Sequence, residues 1–496
     1  MPLRSLFNAG RNRHDKDRLR EGVDVYLQSL DRSSSEKAEE QKGESISRLL
    51  KKKDVRLLRH MGLGPLGFVS NSLRRDCWYE LLASQLHIDD ATEYLPPVEK
   101  HKDEGQVALD AERSFGGIEN KKLKVQLKAL LVELITDILR KYPTLNYYQG
   151  YHDIVSVFIM CFSWDVAKEK GLEWESLSLR DQIDMKKLFY CVEAFTLLYL
   201  RDFMMNSLDF SFEQLNLISS LVKESNPKFY NAFQFDENEP LFAIGSILTI
   251  FAHNLKPIDS GDTNLHRILF QIFDMTISSQ SMHLPLIIYK NLLLQNAPEI
   301  LKQIEANSDV FENDFDLRHG AIQTVLQKKL YDESLWEEVL QITRDHSASA
   351  SRRVLKRVRL NKYSTLLNTA CGNPSSFQMD TVIFYLDEQT KMNEQYKKNK
   401  HHGIATRSRT RALVQRLGHF LPSKYNKWGK ISLLIGIVAI LYQLRNTRSL
   451  SLVLSLRYMI STKLKDLSHV NMNLHHVNNI WMDPIKDILR FGHPNR

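Results

Sequence analysis

Cysteine is scarce in this chain of 496 residues. Cys77, Cys161, Cys191 and Cys371 lie far apart, with no Cys-x-x-Cys pair. That spacing offers neither a zinc site nor a disulfide framework, and it points to a reducing, cytosolic setting. The Gly-x-x-x-x-Gly-Lys-Ser/Thr loop that cradles nucleotide phosphates is missing, so the chain is not expected to bind GTP itself. Residues 1–20 are polar and charged, with no apolar stretch of the kind a secretory signal needs. No series of period-two segments divided by hairpin turns is present, nor any fixed-period repeat, and the reading is therefore all-α. The His-Glu-x-x-His metal spacing is also lacking. The pairs His401–His402 and His475–His476 sit in polar segments and read as solvated histidines.

What is present is an ordinary globular balance, 43% hydrophobic and 25% charged, enough to bury a sizeable core. The net charge of +8 is unevenly placed. From Lys391 to Lys430 there are eleven Lys or Arg against one acid, Glu394, a local net of +10. Such a block can face nucleic acid or an anionic membrane. It runs into the apolar segment WGKISLLIGIVAILYQL, Trp428–Leu444, so the membrane is the preferred partner and nucleic acid is not expected. That segment falls just short of the roughly 20 residues of a standard span. Trp428 and Tyr442 as interface anchors, together with a thin bilayer, make 426–446 a candidate transmembrane segment. A hairpin with the weaker apolar run 450–460, an interfacial helix and a buried core helix remain open alternatives. The basic flank would keep residues 1–430 in the cytosol.

Residues 1–44 read as a charged, partly disordered lead-in. From 45 to 345 one helical pattern follows another. The clearest is Lys121–Arg140, where Leu127, Leu130, Leu131, Leu134, Ile135 and Ile138 form one apolar face and Pro143 suits the stop. Similar faces recur in Lys187–Phe203, Phe242–Leu255 and Leu265–Ile277. Residues 346–425 read as a basic linker with a helical piece around Asp380–Lys398, and 447–496 as a tail.

Three short motifs follow one another. Arg74-x-x-x-Trp78 places a guanidinium and an indole on one helix face, with Ser70 or Asn71 as the cap. The bland alternative is a surface arginine beside a core tryptophan. Asp110-x-x-Arg113, preceded by Val107, sets a carboxylate where it can orient an arginine side chain. A routine surface ion pair is the alternative. Tyr147-Tyr148-Gln149-Gly150-Tyr151-His152-Asp153 crowds aromatics, an amide and a glycine ahead of an apolar helix. Gln149 could hold a water there, with Gly150 permitting close backbone approach; a packed aromatic corner is the alternative. Gly62-x-Gly64-x-x-Gly67 matches the dinucleotide fingerprint in letters alone, since a charged helical stretch precedes it rather than a strand.

Taken in order, Arg-x-x-x-Trp, hydrophobic-x-x-Asp-x-x-Arg and Tyr-x-Gln resemble the signature of the TBC family of Rab GTPase-activating proteins. The texts LRHMGLGPLGFVSNSLRRDCWYELL, NYYQGYHDIVSVF, EPLFAIGSILTIFAHNL and HRILFQIFD agree with it, over roughly Leu63 to Ala297. Val107 stands where the family usually has Ile. The C-terminal apolar segment makes the chain most similar to the membrane-anchored branch that acts on ER-to-Golgi Rab/Ypt proteins. The resemblance implies a multi-helix domain over 45–345 and a Rab/Ypt small GTPase as partner. It implies an activator that completes the partner's active site in trans, with GTP and Mg2+ held by the partner and no cofactor of its own. Arg113 matches the family's arginine finger and Gln149 its glutamine finger, with Asp110 positioning Arg113. Arg74, Trp78, Tyr147, Tyr148, Gly150 and Asp153 match structural, orienting or interface positions. The implied location is the cytosolic face of an early secretory membrane, the endoplasmic reticulum. A catalytically silent scaffold of the same fold is the alternative.

Overall fold

A computed structural model describes residues 35–88, 99–163, 178–236, 240–255, 263–308, 314–345, 360–369 and 376–402. Its longer helices are α1 (Ser35–Lys52), α2 (Val55–Leu63), α3 (Asn71–Ala83), α4 (Glu104–Glu112), α5 (Lys121–Lys141), α6 (Tyr151–Ser163) and α7 (Met185–Phe195). They continue with α8 (Asp209–Ser225), α9 (Thr263–Ser279), α10 (His283–Gln295), α11 (Ala297–Asn307), α12 (Asp314–Lys329), α13 (Glu333–Asp345) and α14 (Met379–His402). Among the described residues the all-α expectation holds apart from one two-residue parallel pairing, β1 (Leu86–His87) with β2 (Phe377–Gln378). Among the described residues no helix is long and apolar enough to cross a membrane. The candidate segment 426–446 and the tail 447–496 lie outside them.

Local sequence accounts for most helix ends. Ser70 caps α3 by accepting the Leu73 N–H, Asn120 caps α5 through Leu123, and Asp54 caps α2 through Leu57. Asn71, the other candidate cap, instead accepts from Arg74 Nη1 at 2.7 Å. The six apolar residues read on α5 are all buried, and the helix stops at Lys141, two residues before Pro143. Layers form where such faces meet. α5 packs on α4 and α6, α6 packs on α3, and α9 lies along α2, α3 and α13. Trp78 is fully buried among Phe158, Phe270 and Phe273, with ring centroids 5.1, 6.3 and 6.0 Å away.

Three segments differ from the reading. α1 begins at Ser35, inside the stretch taken as lead-in, because Ala38, Ile46 and Leu49 bury against the domain. The single helix expected over Phe242–Leu255 is broken. A 3-10 turn, Leu241–Ala243, leads into Ile244–Leu248, and Ala252–Leu255 follows after left-handed Ile250 and Phe251 (φ +49° and +64°). Burial outweighs helical continuity here: Ile250 and Phe251 are wholly enclosed, with Phe251 edge-on to Trp336 at 5.5 Å. The region read as linker does carry a helix over 380–398, as expected, but that helix is part of the domain. Gln389 of α14 bonds both Arg201 Nε (3.0 Å) and Asp202 Oδ1 (2.7 Å). Asp202, fully buried, also accepts Ser364 Oγ at 2.6 Å, Thr365 N–H at 3.0 Å and Gln214 Nε2 at 2.6 Å. Ser364, Thr365 and Gln389 lie far off in sequence, where no periodicity reveals them.

Candidate functional site

α4 is an ion-pinned bracket. At its start Glu104 takes a two-pronged bond from Arg140 of α5 (2.6 and 2.9 Å), which holds the Glu104 carboxyl below its usual range. Near its end Lys128 reaches the Glu112 carboxylate at 3.0 Å. Val107, Asp110 and Ala111 share the buried face, as i, i+3 and i+4 must. Arg113 ends the helix, and its N–H bonds back to the Asp110 carbonyl at 3.3 Å.

The expected Asp110–Arg113 pair is present, with Arg113 Nη2 on Asp110 Oδ1. It is asymmetric: the Asp110 side chain is 0% exposed, whereas Arg113 is 42% exposed. A routine surface pair would leave both in water. A buried anion must be satisfied, and Asp110 is. Gln106 Nε2 donates to Oδ1 at 3.1 Å, and the Tyr147 hydroxyl donates to Oδ2 at 2.7 Å. Burial and the neighbouring Asp110 charge push the Tyr147 phenol far above its ordinary value, so it keeps its proton and stays a donor.

Tyr147 joins this bracket to the third motif. Its N–H bonds Asp103 Oδ2 at 2.9 Å, just ahead of α4. Tyr148 donates its hydroxyl to the Leu248 carbonyl at 2.8 Å. That carbonyl is available because the helix breaks at 250–251: the Ala252 N–H bonds Thr249 instead. Gly150 adopts φ +116°, and a Cβ there would lie 2.7 Å from Thr249 Cγ2. Only glycine fits this turn. Gln149, between Tyr148 and Gly150, is exposed on it. Asp153, in the first turn of α6, receives His253 Nδ1 at 2.8 Å.

The structure thus gathers Asp110, Arg113, Tyr147 and Asp153 into one network, and Tyr148 and Gly150 shape the turn that presents Gln149. Arg74 and Trp78 lie elsewhere. Both are interior and converge on Asp274 of α9: Arg74 Nε and Nη2 bond it at 2.8 and 2.9 Å, and Trp78 Nε1 at 2.8 Å. Their part is structural, and Arg74 is not the surface residue of the bland alternative. The glycine decoy belongs to the same hub. Gly67 (φ +54°) has no room for a Cβ, which would sit 2.2 Å from Asp274 Oδ2, and a Cβ on Gly62 would meet Ser278 Oγ and Phe68. Those glycines permit close packing of α2 and its loop on α9.

Sequence reading passed over Asp274, His152, His253 and Gln106. Asp274 is 200 residues from Arg74 and has no local signal. His152, His253 and Asp274 lay inside quoted stretches, and their roles come from contacts across elements, whereas Gln106 meets Asp110 four residues on in the same helix. Among the described residues no group of three or more His, Cys, Asp or Glu could hold a metal ion.

Residues 71–301 match the model of the Rab-GTPase-TBC domain, the stretch holding all three motifs. The chain is 80% identical to the GTPase-activating protein GYP8 of Saccharomyces cerevisiae, over the whole of both chains. It is 27% identical to GTPase-activating protein gyp10 of Schizosaccharomyces pombe, over 65% of this chain and 76% of that one. With TBC1 domain family member 20 of Homo sapiens it shares 29% identity, over 41% of this chain and 46% of the relative. A shared signature over the motif-bearing helices and full-length identity to a GTPase-activating protein lead to one conclusion: the chain belongs to the TBC-domain family of Rab GTPase-activating proteins.

Proposed function

We propose that this protein accelerates GTP hydrolysis by a Rab/Ypt GTPase of ER-to-Golgi transport, with Arg113 and Gln149 entering the partner's active site in trans. Hydrolysis of GTP is slow because charge spreads over the transferring phosphoryl oxygens and the attacking water must be aligned. Arg113 supplies the charge and Gln149 aligns the water, while the partner holds GTP and Mg2+. One observation carries the reading: a half-exposed arginine is oriented by a fully buried carboxylate that accepts two further hydrogen bonds. Fixing the guanidinium beforehand removes reorganisation from the reaction step. The fold completes another protein's catalytic site and holds no substrate of its own. The apolar segment 426–446, behind its basic flank, anchors the domain on the cytosolic face of an early secretory membrane, the endoplasmic reticulum.

The test is single-turnover hydrolysis by a panel of GTP-loaded Rab/Ypt proteins with the full chain in mild detergent. An early-secretory GTPase should be accelerated strongly, and an arginine finger is typically worth roughly a thousandfold or more. Arg113→Ala and Gln149→Ala should each remove most of that. Arg113→Lys should not restore it, because lysine lacks the planar two-pronged donor. Binding without acceleration of any GTPase would make the protein a scaffold of this fold. For the anchor, the full chain should fractionate with membranes and a chain ending at residue 425 should not; soluble behaviour of both would refute it.

A further inference from the structure

We infer that His152 is a positioning residue for the arginine finger, holding Tyr147 against Asp110. The inference rests on the two-finger reading above. His152 is buried, and every polar group facing it belongs to the site. Its Nδ1 lies 2.9 Å from the Tyr147 hydroxyl and 3.5 Å from Asp110 Oδ2. Its Nε2 lies 3.4 Å from Asp153 Oδ1, whose other oxygen receives His253. The groups around it are therefore Asp110 and Arg113 from α4 and its end, Tyr147 from the loop, Asp153 from its own helix α6, and His253 from the Ala252–Leu255 turn.

The tautomer follows from proton counting. Tyr147 has one hydroxyl proton, and its oxygen is 2.7 Å from a carboxylate oxygen. If that proton pointed at His152 instead, lone pairs would face an anion at hydrogen-bond distance. Tyr147 therefore donates to Asp110, and its oxygen must accept from His152. Nδ1 carries the hydrogen. A relay results, running from the imidazole N–H to the phenol, from the phenol to Asp110, and from Asp110 to Arg113. Without the Nδ1 donor the phenol can turn toward solvent or rock in its pocket, and Asp110 loses its second anchor. Arg113 then stays exposed but is no longer aimed. A misplacement of about 1 Å at a reacting centre can cost on the order of a hundredfold in rate.

Two variants of similar size separate a positioning role from simple packing. In His152→Asn the side-chain amide NH2 can sit near the Nδ1 position and still donate to Tyr147. In His152→Gln the amide reaches the Nε2 position and leaves Tyr147 without its donor. With the full chain and the GTPase it accelerates most, His152→Gln should lower the maximal stimulated rate by about 10- to 100-fold, while the GTPase concentration at half-maximal rate changes less than threefold. His152→Asn should retain most of the rate. Equal activity of His152→Gln and the parent overturns the inference. So does equal loss in both variants, or loss confined to half-saturation, since each reports packing or docking. Arg113→Ala in the same series separates the two levels: if it too is fully active, the finger reading has failed rather than this one. A readout independent of turnover uses 15N-histidine-labelled full chain. His152 should show the Nδ1–H tautomer and move when Tyr147→Phe removes its acceptor; an Nε2–H tautomer overturns the assignment.

Discussion

Replacing Gly150 with alanine isolates how the Gln149 turn is held. Two costs arise. A Cβ at φ +116° is strained wherever it occurs, by roughly 1–3 kcal/mol. The new methyl also falls 2.7 Å from Thr249 Cγ2. Thr249 cannot step aside cheaply, because its hydroxyl donates to the Gly245 carbonyl at 2.7 Å and accepts the His253 N–H at 3.3 Å. Overpacking of this kind adds roughly 1–3 kcal/mol. Reduced freedom of the unfolded chain returns up to about 1 kcal/mol, so Gly150→Ala should destabilise by roughly 1–5 kcal/mol, a large part of a typical folding free energy. Thr249→Ser keeps both hydroxyl bonds and deletes the obstructing methyl, at about 1 kcal/mol by itself. The double variant should therefore be more stable than additivity allows, by about 1–3 kcal/mol, the contact cost having vanished and the φ cost having stayed. Urea unfolding followed by tryptophan fluorescence gives the four stabilities. GTPase stimulation, measured where all four are folded, should fall in Gly150→Ala and recover only partly in the double variant. A coupling energy of zero would show that the methyl contact does not shape the turn. Parent-like stability of Gly150→Ala would refute the argument entirely.

Asp274→Asn should cost about 3–5 kcal/mol in urea unfolding, because Arg74 is left buried without its counter-charge; a cost below 1 kcal/mol would mean the hub is dispensable. Gln389→Ala removes a bond to Arg201 and one to Asp202, each with a charged partner and worth about 1.5–3 kcal/mol. Limited proteolysis should then cut at α14 well before the rest of the domain, and uniform resistance would count against that clasp. Burial pushes His319 down to about 4. It stays neutral in the fold while the unfolded chain takes up a proton below about 6.5, so this contribution is complete above pH 6.5 and is lost as pH falls toward 4. At about 1.4 kcal/mol per pH unit, roughly 3 kcal/mol disappears across that window. His319→Gln should flatten the pH dependence of stability by that amount, and an unchanged slope would assign the acid sensitivity elsewhere.

Local sequence was enough for most of the helices and for the two candidate fingers. The apolar face of α5, its Asn120 cap and its stop before Pro143 are properties of a single segment, so periodicity and capping chemistry reveal them. Arg113, three residues after Asp110, and Gln149, beside an obligate glycine, are likewise short-range arrangements. The partners that give those residues meaning are not short-range. The break at Ile250 and Phe251 arises because two large side chains gain more by burial than a continuous backbone would gain, and it frees the Leu248 carbonyl for Tyr148. The stretch read as a linker joins the domain because Asp202, buried by the helices around it, needs donors that residues 364, 365 and 389 supply.

Spacing within a few turns of chain is sufficient to reveal most of the helices, the family signature and the two candidate fingers. Tertiary structure alone decided which charges are buried. Burial separates Arg74, locked on Asp274 inside the core, from Arg113, held by Asp110 but open to a partner. Both arginines stand near an acid or an aromatic in sequence, and only desolvation by distant helices makes one a structural tie and the other an available cation.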